Sequence, residues 1–443
     1  MRTRDASFAP SRTVAAAERS VSIGAAAGVI MQAVDDVPFD GRHAQIDGTP
    51  LLNFGSCSYL GLEQRRELKR GAIDAIERFG TQFSYSRGYL ELPLYAQLEV
   101  VVGKMTGGYA LIAPTTTLAH IAALPVLVGP EDAVLIDQSA HASLHTAVAL
   151  LHSIPVSLVR HNRMDRLEVE IARLSAAHRR VWFVFDGLYS MLGDFAPLDE
   201  MARLLEKYPQ FHLYVDDAHS TSWTGKHGRG HALDRLPDVS RVVVALGFAK
   251  AFGVGGAALV FASDADRQRV RRCGGPMLFS GPLQPPLLGA ALASAKLHLE
   301  PAFSTLQNDL LDRIELTLSL ARDLDVPLAS RDKTPIFFVR CGPLDVAFDL
   351  VLSLRARGIY VCCSGFPAVP QNQAGARFTL SLLNTPADIH CLMQALSEET
   401  KRLGIDRRAQ MPREPSSAAP AVARPRRSAS SAPPPPINLL VTK

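Results

Sequence analysis

The sequence predicts an α/β protein: a mostly parallel sheet between helices, followed by a smaller C-terminal α/β domain. Three observations carry that reading. Apolar runs of about six residues recur along the chain without polar alternation, as strands buried on both faces require. Segments with helical spacing separate them, which is the order of a parallel sheet covered on both sides. A chain of 443 residues, 47% hydrophobic and 20% charged, also has the apolar surface to fill such layers.

Residues 1–45, rich at first in Ala, Ser and Arg, read as an N-terminal arm, flexible or docking. Residues 46–300 form the large domain. In it "DAVLID", "VWFVFD", "HLYVDD", "VVVALG" and "AALVFA" are the buried strands, and "PLDEMARLLEKY" is a helix with Pro197 near its start. Residues 301–406 form the small domain. A long helix, "STLQNDLLDRIELTLSLARDL", leads into mixed strands at "PIFFVRC", "GIYVCC" and "RFTLSL", and "PADIHCLMQALSEETKRL" is the last helix. Residues 407–443 are Pro, Ser, Ala and Arg; such a segment buries too little apolar surface to offset its ordering entropy and reads as a disordered basic tail. No internal repeat is visible.

The formal charge of +4 is concentrated in that tail. From Arg407 onward there are seven Lys/Arg and one acid, a local +6, so the rest of the chain sums to about −2. A near-neutral body argues against a nucleic-acid substrate. The six cysteines show neither zinc-site spacing nor a disulfide framework, and no metal site is expected. No apolar run resembles a signal peptide or reaches the ~18–20 residues of a membrane span, so a cytoplasmic protein is expected.

Ligand sites in open α/β sheets lie beyond the carboxyl ends of the strands. Polar residues collect there: His141 after "DAVLID", Asp186 after "VWFVF", Asp216 and Asp217 after "HLYV", Lys250 after "VVVAL". Each alone reads equally well as a strand-end cap. Together they point to chemistry. A lysine set among small apolar residues becomes a competent amine nucleophile, and such lysines form Schiff bases with carbonyl compounds. If the carbonyl is pyridoxal phosphate, an acid must keep the pyridine nitrogen protonated, a flat group should cover the ring, and backbone N–H groups at a helix start should cradle the phosphate.

The motifs "NFGSCSYLGL", "DQSAHASLHTA", "FDGLYSMLGDFAPLDEMARL", "VDDAHSTSWTGKHGRG" and "GFAKAFGVGGA" resemble, in this order, those of the α-oxoamine synthase family. The resemblance runs from about Leu51 to Leu403. It implies a fold-type I PLP-dependent transferase with a seven-stranded sheet in the large domain, and a homodimer with shared active sites. Carried across residue by residue, it implies that Lys250 bonds the cofactor and shuttles protons, and that Asp216 pairs with the ring nitrogen. His141 would stack on the ring, and His219 and Ser190 would reach its phenolic oxygen. Thr115, Thr116 or Thr117 would meet the phosphate at a helix start, where a plain N-cap is an equal alternative. The partner subunit's Ser280 would contribute a further hydroxyl.

Departures accompany the matches. A hydroxyl residue expected three positions before the lysine is Gly247, and Gly281 follows Ser280. Cys57 or Ser58 stands where an asparagine is usual. The arginine that grips the amino-acid carboxylate is replaced by Gly365 or Phe366, leaving Arg377 as the nearest cation and Arg87 as a candidate for the acyl partner. The reaction implied is decarboxylative, Claisen-like condensation of an α-amino acid with an acyl thioester, on coenzyme A or a carrier protein, to an α-aminoketone. Transamination, aldol cleavage and a non-catalytic partner subunit are the alternatives.

Overall fold

In the computed structural model, which describes residues 11–406, the apolar runs form strands where the sequence predicts them. In chain order these are β1 (His43–Ile46), β2 (Thr49–Asn53), β3 (Tyr109–Ala113), β4 (Ala133–Asp137), β5 (Val156–Val159), β6 (Val181–Asp186) and β7 (Phe211–Asp216). They continue as β8 (Val242–Gly247), β9 (Ala257–Phe261), β10 (Ile336–Gly342), β11 (Ile359–Tyr360), β12 (Cys362–Ser364) and β13 (Ala374–Thr379). The expected tail, 407–443, lies outside the described residues.

Seven strands make the main sheet, ordered β3-β9-β8-β7-β6-β4-β5, and the neighbours β4 to β8 are all parallel. Only β9 runs against its neighbours, so the sheet is mostly parallel. The absence of polar alternation in these strands has a direct cause. Ala133, Leu135, Phe183, Phe185, Leu213, Val215 and Val244 enter one core, while Val134, Ile136, Trp182, Val184, Tyr214, Val243 and Ala245 enter the other. Successive side chains point to opposite faces, and both faces are covered by helices. Each fully buried side chain of this size contributes about 1.5–3 kcal/mol.

A smaller antiparallel sheet, β10-β13-β12, follows the helix Phe303–Asp323, and a third, β1-β2-β11, joins the beginning of the chain to residues 359–360. The run "GIYVCC" is therefore two short strands, not one: β11 pairs parallel with β2, and after Val361 the chain crosses to pair β12 with β13. The N-terminal arm holds a helix, Arg12–Ala26, whose N-cap Ser11 accepts a hydrogen bond from the Val14 amide. Four strands were not foreseen: the short pair β1 and β2, and β3 and β5 of the main sheet. β5 lies at the sheet edge with Val156 and Leu158 exposed, which removes the buried pattern, whereas β3 is an apolar run, "ALIA", just after Gly107 and Gly108.

No helix among the described residues is long and apolar enough to cross a membrane. All six cysteines are free thiols.

Candidate active site

The carboxyl ends of β4, β6 and β7 carry Asp137, Asp186 and Asp216 in a row, with Asp186 and Asp216 directly opposite across their strands. Two neighbouring buried carboxylates cannot both ionise cheaply. Burial, then the charge of Asp216, pushes the Asp186 carboxyl well above its usual range, and its Oδ1 accepts the backbone N–H of His141 at 3.0 Å. Burial acts on Asp216 in the same sense, but the His120 imidazole outweighs it, with help from Lys250, and Asp216 stays below the usual range. The pair is thus unequal: Asp216 holds its charge more readily than Asp186. Asp217, one residue on, faces away: its Oδ2 accepts the Ala232 N–H at 2.9 Å, and burial raises it to about 6.

His120 is the residue that sequence reasoning missed. It lies fully buried in the helix Thr116–Leu127, with Nε2 2.9 Å from Asp216 Oδ2 and Nδ1 3.0 Å from the Tyr214 hydroxyl. Together with the Ala218 N–H on Asp216 Oδ1, at 3.1 Å, it fixes the carboxylate in position. A histidine on the apolar face of the run "TTTLAHIAAL" was the available signal.

Lys250 sits three residues beyond β8, in the bend before β9, half-buried and not sealed in the core. Its charge is felt by Asp216, Asp186, His141 and His219, so these five side chains share one site. Burial, reinforced by Lys250 and Arg377, holds His219 neutral at physiological pH. Its Nδ1 lies 2.8 Å from the hydroxyl of Tyr59, which burial keeps protonated. With Tyr59 donating to Nδ1, the proton of His219 resides on Nε2. His141, the exposed N-cap of the helix Ala142–Ala149, is likewise kept neutral by partial burial and has Nδ1 2.7 Å from Ser143 Oγ.

Arg377 joins this group. It is 7% exposed, donates from Nε to the Ser190 carbonyl at 2.7 Å and from Nη2 to Cys57 Sγ at 3.5 Å, and lies close enough to depress His219 further. Ser190 meets Arg377 through its backbone carbonyl and lines the adjoining cleft. Of the two replacements for the asparagine, Cys57 faces the site; Ser58 is spent on its own turn, donating to Glu63 at 2.7 Å and accepting from Gly61.

Other candidates are placed elsewhere. Thr115 is the N-cap of its helix and accepts from the Leu118 N–H at 3.1 Å; Thr116 and Thr117 follow in the first turn, beside the backbone N–H groups of that helix start. Ser280 donates to the Pro276 carbonyl and sits in a surface hollow with Tyr85, Tyr89 and Phe279. Arg87 corrects the expectation of an acyl-binding cation. It is buried under Tyr95, its guanidinium committed to Glu91, Glu99 and the Ile112 carbonyl. Gly247 also has a steric cause: a Cβ there would lie 2.6 Å from Ala218 Cβ. A hydroxyl side chain at that position is excluded by the neighbouring loop.

A cleft of about 620 Å³ opens beside His141 and Ser190, walled on one side by Gln138, His145 and Leu192 and on the other by Phe338, Arg340 and Phe366.

The class of protein that this fold and site define is matched by comparison with known proteins. Residues 49–396 match the family model "Aminotransferase class I and II". The chain is 34% identical over 365 residues to 8-amino-7-oxononanoate synthase of Dechloromonas aromatica (strain RCB), covering 81% of this chain and 92% of the relative. It is 30% identical over 366 residues to the enzyme of the same name from Thermosipho melanesiensis, covering 81% and 91%. Among solved structures, Sphingomonas wittichii serine palmitoyltransferase superposes with a TM-score of 0.80 at 23% identity, covering 89% of this chain and 98% of that one. The 8-amino-7-oxononanoate synthase of Francisella tularensis gives 0.68 at 23% identity, over 80% and 99%. The chain belongs to the aminotransferase class I and II family, and within it to the α-oxoamine synthases.

Its cofactor is therefore pyridoxal phosphate, and the residues present fit it. An ionised Asp216 held beside Lys250, a neutral histidine with a donor nitrogen, and an exposed imidazole at the rim are the groups a pyridine aldehyde needs.

Proposed function

We propose that the protein condenses an α-amino acid with an acyl thioester, releasing the amino acid's carboxylate as carbon dioxide and yielding an α-aminoketone. The observation that carries it is the convergence of Asp216, Lys250, His219, His141 and Arg377 in a chain of this family. Pyridoxal phosphate, when bound, supplies the electron sink that stabilises negative charge at Cα.

The residues of this chain do the rest. Lys250 would hold the cofactor through its amine, which could also take and return the proton at the amino acid's Cα. Asp216, its position fixed by His120, keeps the ring nitrogen protonated. His141 covers one ring face. His219, neutral, offers Nε2–H to an oxygen that gains negative charge. Arg377 would hold the substrate carboxylate and so fix which bond at Cα is presented for cleavage. Helix-start amides near Thr115, Thr116 and Thr117 receive the phosphate, with Ser280 from a second copy.

The working form is a homodimer in the cytoplasm. The test uses amino acids labelled at the carboxylate carbon. Label should leave as carbon dioxide only when an acyl thioester is present, and Lys250→Ala should abolish it. Release of a keto acid without thioester would point to transamination instead. Borohydride treatment of the holoenzyme should label Lys250, as peptide mass spectrometry reads it.

A further inference from the structure

Lys250 stands in a turn closed by its own backbone: the Gly253 N–H donates to the Lys250 carbonyl at 2.9 Å, and the Val254 N–H to the Phe248 carbonyl at 3.0 Å. Two residues past the lysine, Phe252 is fully buried and is held twice by the last turn of the helix Pro285–His298. The Ser294 hydroxyl donates to the Phe252 carbonyl at 2.7 Å, and the His298 ring stacks on the Phe252 ring with centroids 4.8 Å apart. Phe248 continues the stack beyond Phe252 at 4.1 Å, and Phe303 continues it beyond His298 at 4.0 Å. Gly253, with φ +81°, lies against residues 62–63: a Cβ there would be 2.7 Å from the Glu63 amide nitrogen. The turn is wedged between that segment and the helix.

Ser294 and His298 are four apart and share a helix face. His298 Nδ1 lies 2.8 Å from the Ser294 carbonyl, which can only accept, so Nδ1 carries the proton. Burial holds the imidazole neutral, lowering it from 6.5 to about 4, and Nε2 has no hydrogen-bond partner among the described residues. A buried lone pair left unpaired costs stability, and an apolar ring would fill the stack without that cost. What the imidazole adds is the bond to Ser294, which fixes the plane of its ring. His298 also meets the loop that follows His219: a Cβ at Gly228 would lie 2.7 Å from its Cδ2, and its carbonyl is 3.1 Å from His227 Nδ1. One residue thus touches the segments that carry Lys250 and His219.

We infer that His298, with Ser294, is a positioning residue that fixes where the Lys250 amine stands when it takes and returns the Cα proton. This rests on the role given to Lys250 above. A misplacement of about 1 Å caused far from the reacting atoms can cost about a hundredfold in rate. Amino-acid binding draws on other groups, so the pair acts on rate and not on affinity.

The test follows exchange of the Cα proton of glycine, alanine and serine for solvent deuterium, by NMR on the holoenzyme without thioester. For the amino acid that exchanges fastest, Ser294→Ala and His298→Phe should each slow exchange about tenfold or more, while its dissociation constant, read from the cofactor's visible absorption, moves less than about twofold. Ser294→Thr returns the hydroxyl and should recover most of the rate. In the full chain, with or without cofactor, the Gly253 amide should exchange as slowly as those of residues 290–298, and about tenfold faster in Ser294→Ala. The inference is overturned if both variants keep the wild-type rate per bound cofactor, if rate and affinity fall together, or if Gly253 already exchanges fast in wild type. That last measurement needs no variant, so a poorly folding substitution leaves the idea testable. Failure of the condensation reading shows differently, as no release of carboxylate label while Cα exchange persists.

Discussion

Asp216 keeps its charge in a buried site because specific partners hold it there, and His120 is the foremost of them. Its removal leaves a buried carboxylate short of one partner, which costs about 1–3 kcal/mol. His120→Ala should therefore weaken cofactor binding about tenfold or more and shift the pH at which the bound cofactor's absorption titrates. His120→Asn should restore part of both. Unchanged spectra and affinity in His120→Ala would show that Asp216 holds its place without it. Of the site residues, Lys250, Asp216 and His141 were legible as polar residues at strand ends, and His219 only through the motif that carries it. His120 was not, because nothing local marks a histidine in an apolar helix face as the partner of an aspartate 96 residues later. Arg87 misled for the converse reason: its acids, Glu91 and Glu99, were in plain view, but only packing shows that they claim it.

Loops after the strands of the main sheet, facing β10 of the small one, decide the shape of the cleft. His161, between β5 and the next helix, is clasped by Asp137 at 3.1 Å and Asp194 at 2.7 Å. Burial opposes its charge, but the two carboxylates prevail and raise it from 6.5 to about 10. The stabilisation is complete below about pH 6.5 and is lost as pH rises through about 10. Hydrogen exchange of residues 189–194 should accelerate between pH 7 and 10.5 beyond the intrinsic base dependence, and Asp194→Asn should remove most of that excess. Gly247 makes a second prediction at this scale. Gly247→Ser forces a side chain against Ala218 and should destabilise by about 1–3 kcal/mol, whereas Ala218→Gly in the same chain should recover much of the loss. Denaturant midpoints of the two singles and the double would settle it; additive losses would mean that the two residues do not meet.

For the molecule as a whole, the surface around Ser280 exposes Tyr89 and Phe279, each 87% exposed, with Tyr85 and Leu90 about half exposed. Such an exposed cluster is suited to burial between two copies. Phe279→Asp should turn a dimer into monomers in sedimentation velocity and reduce activity with it. A monomeric wild type would remove the shared-site reading while leaving the single-chain geometry intact.

The sequence by itself determined the layer order, the parallel strands and the rim at which chemistry occurs. Those follow from local periodicity: a strand buried on both faces must be apolar throughout, so its polar residues collect at its end. The ordered motifs did the same for the family and its cofactor. Only the tertiary structure decided that His120 holds Asp216, which cation is already spoken for, and that Arg340 and Arg377 share a face. Each of those depends on strand register and on partners far away in sequence, and a single chain read residue by residue carries no record of either.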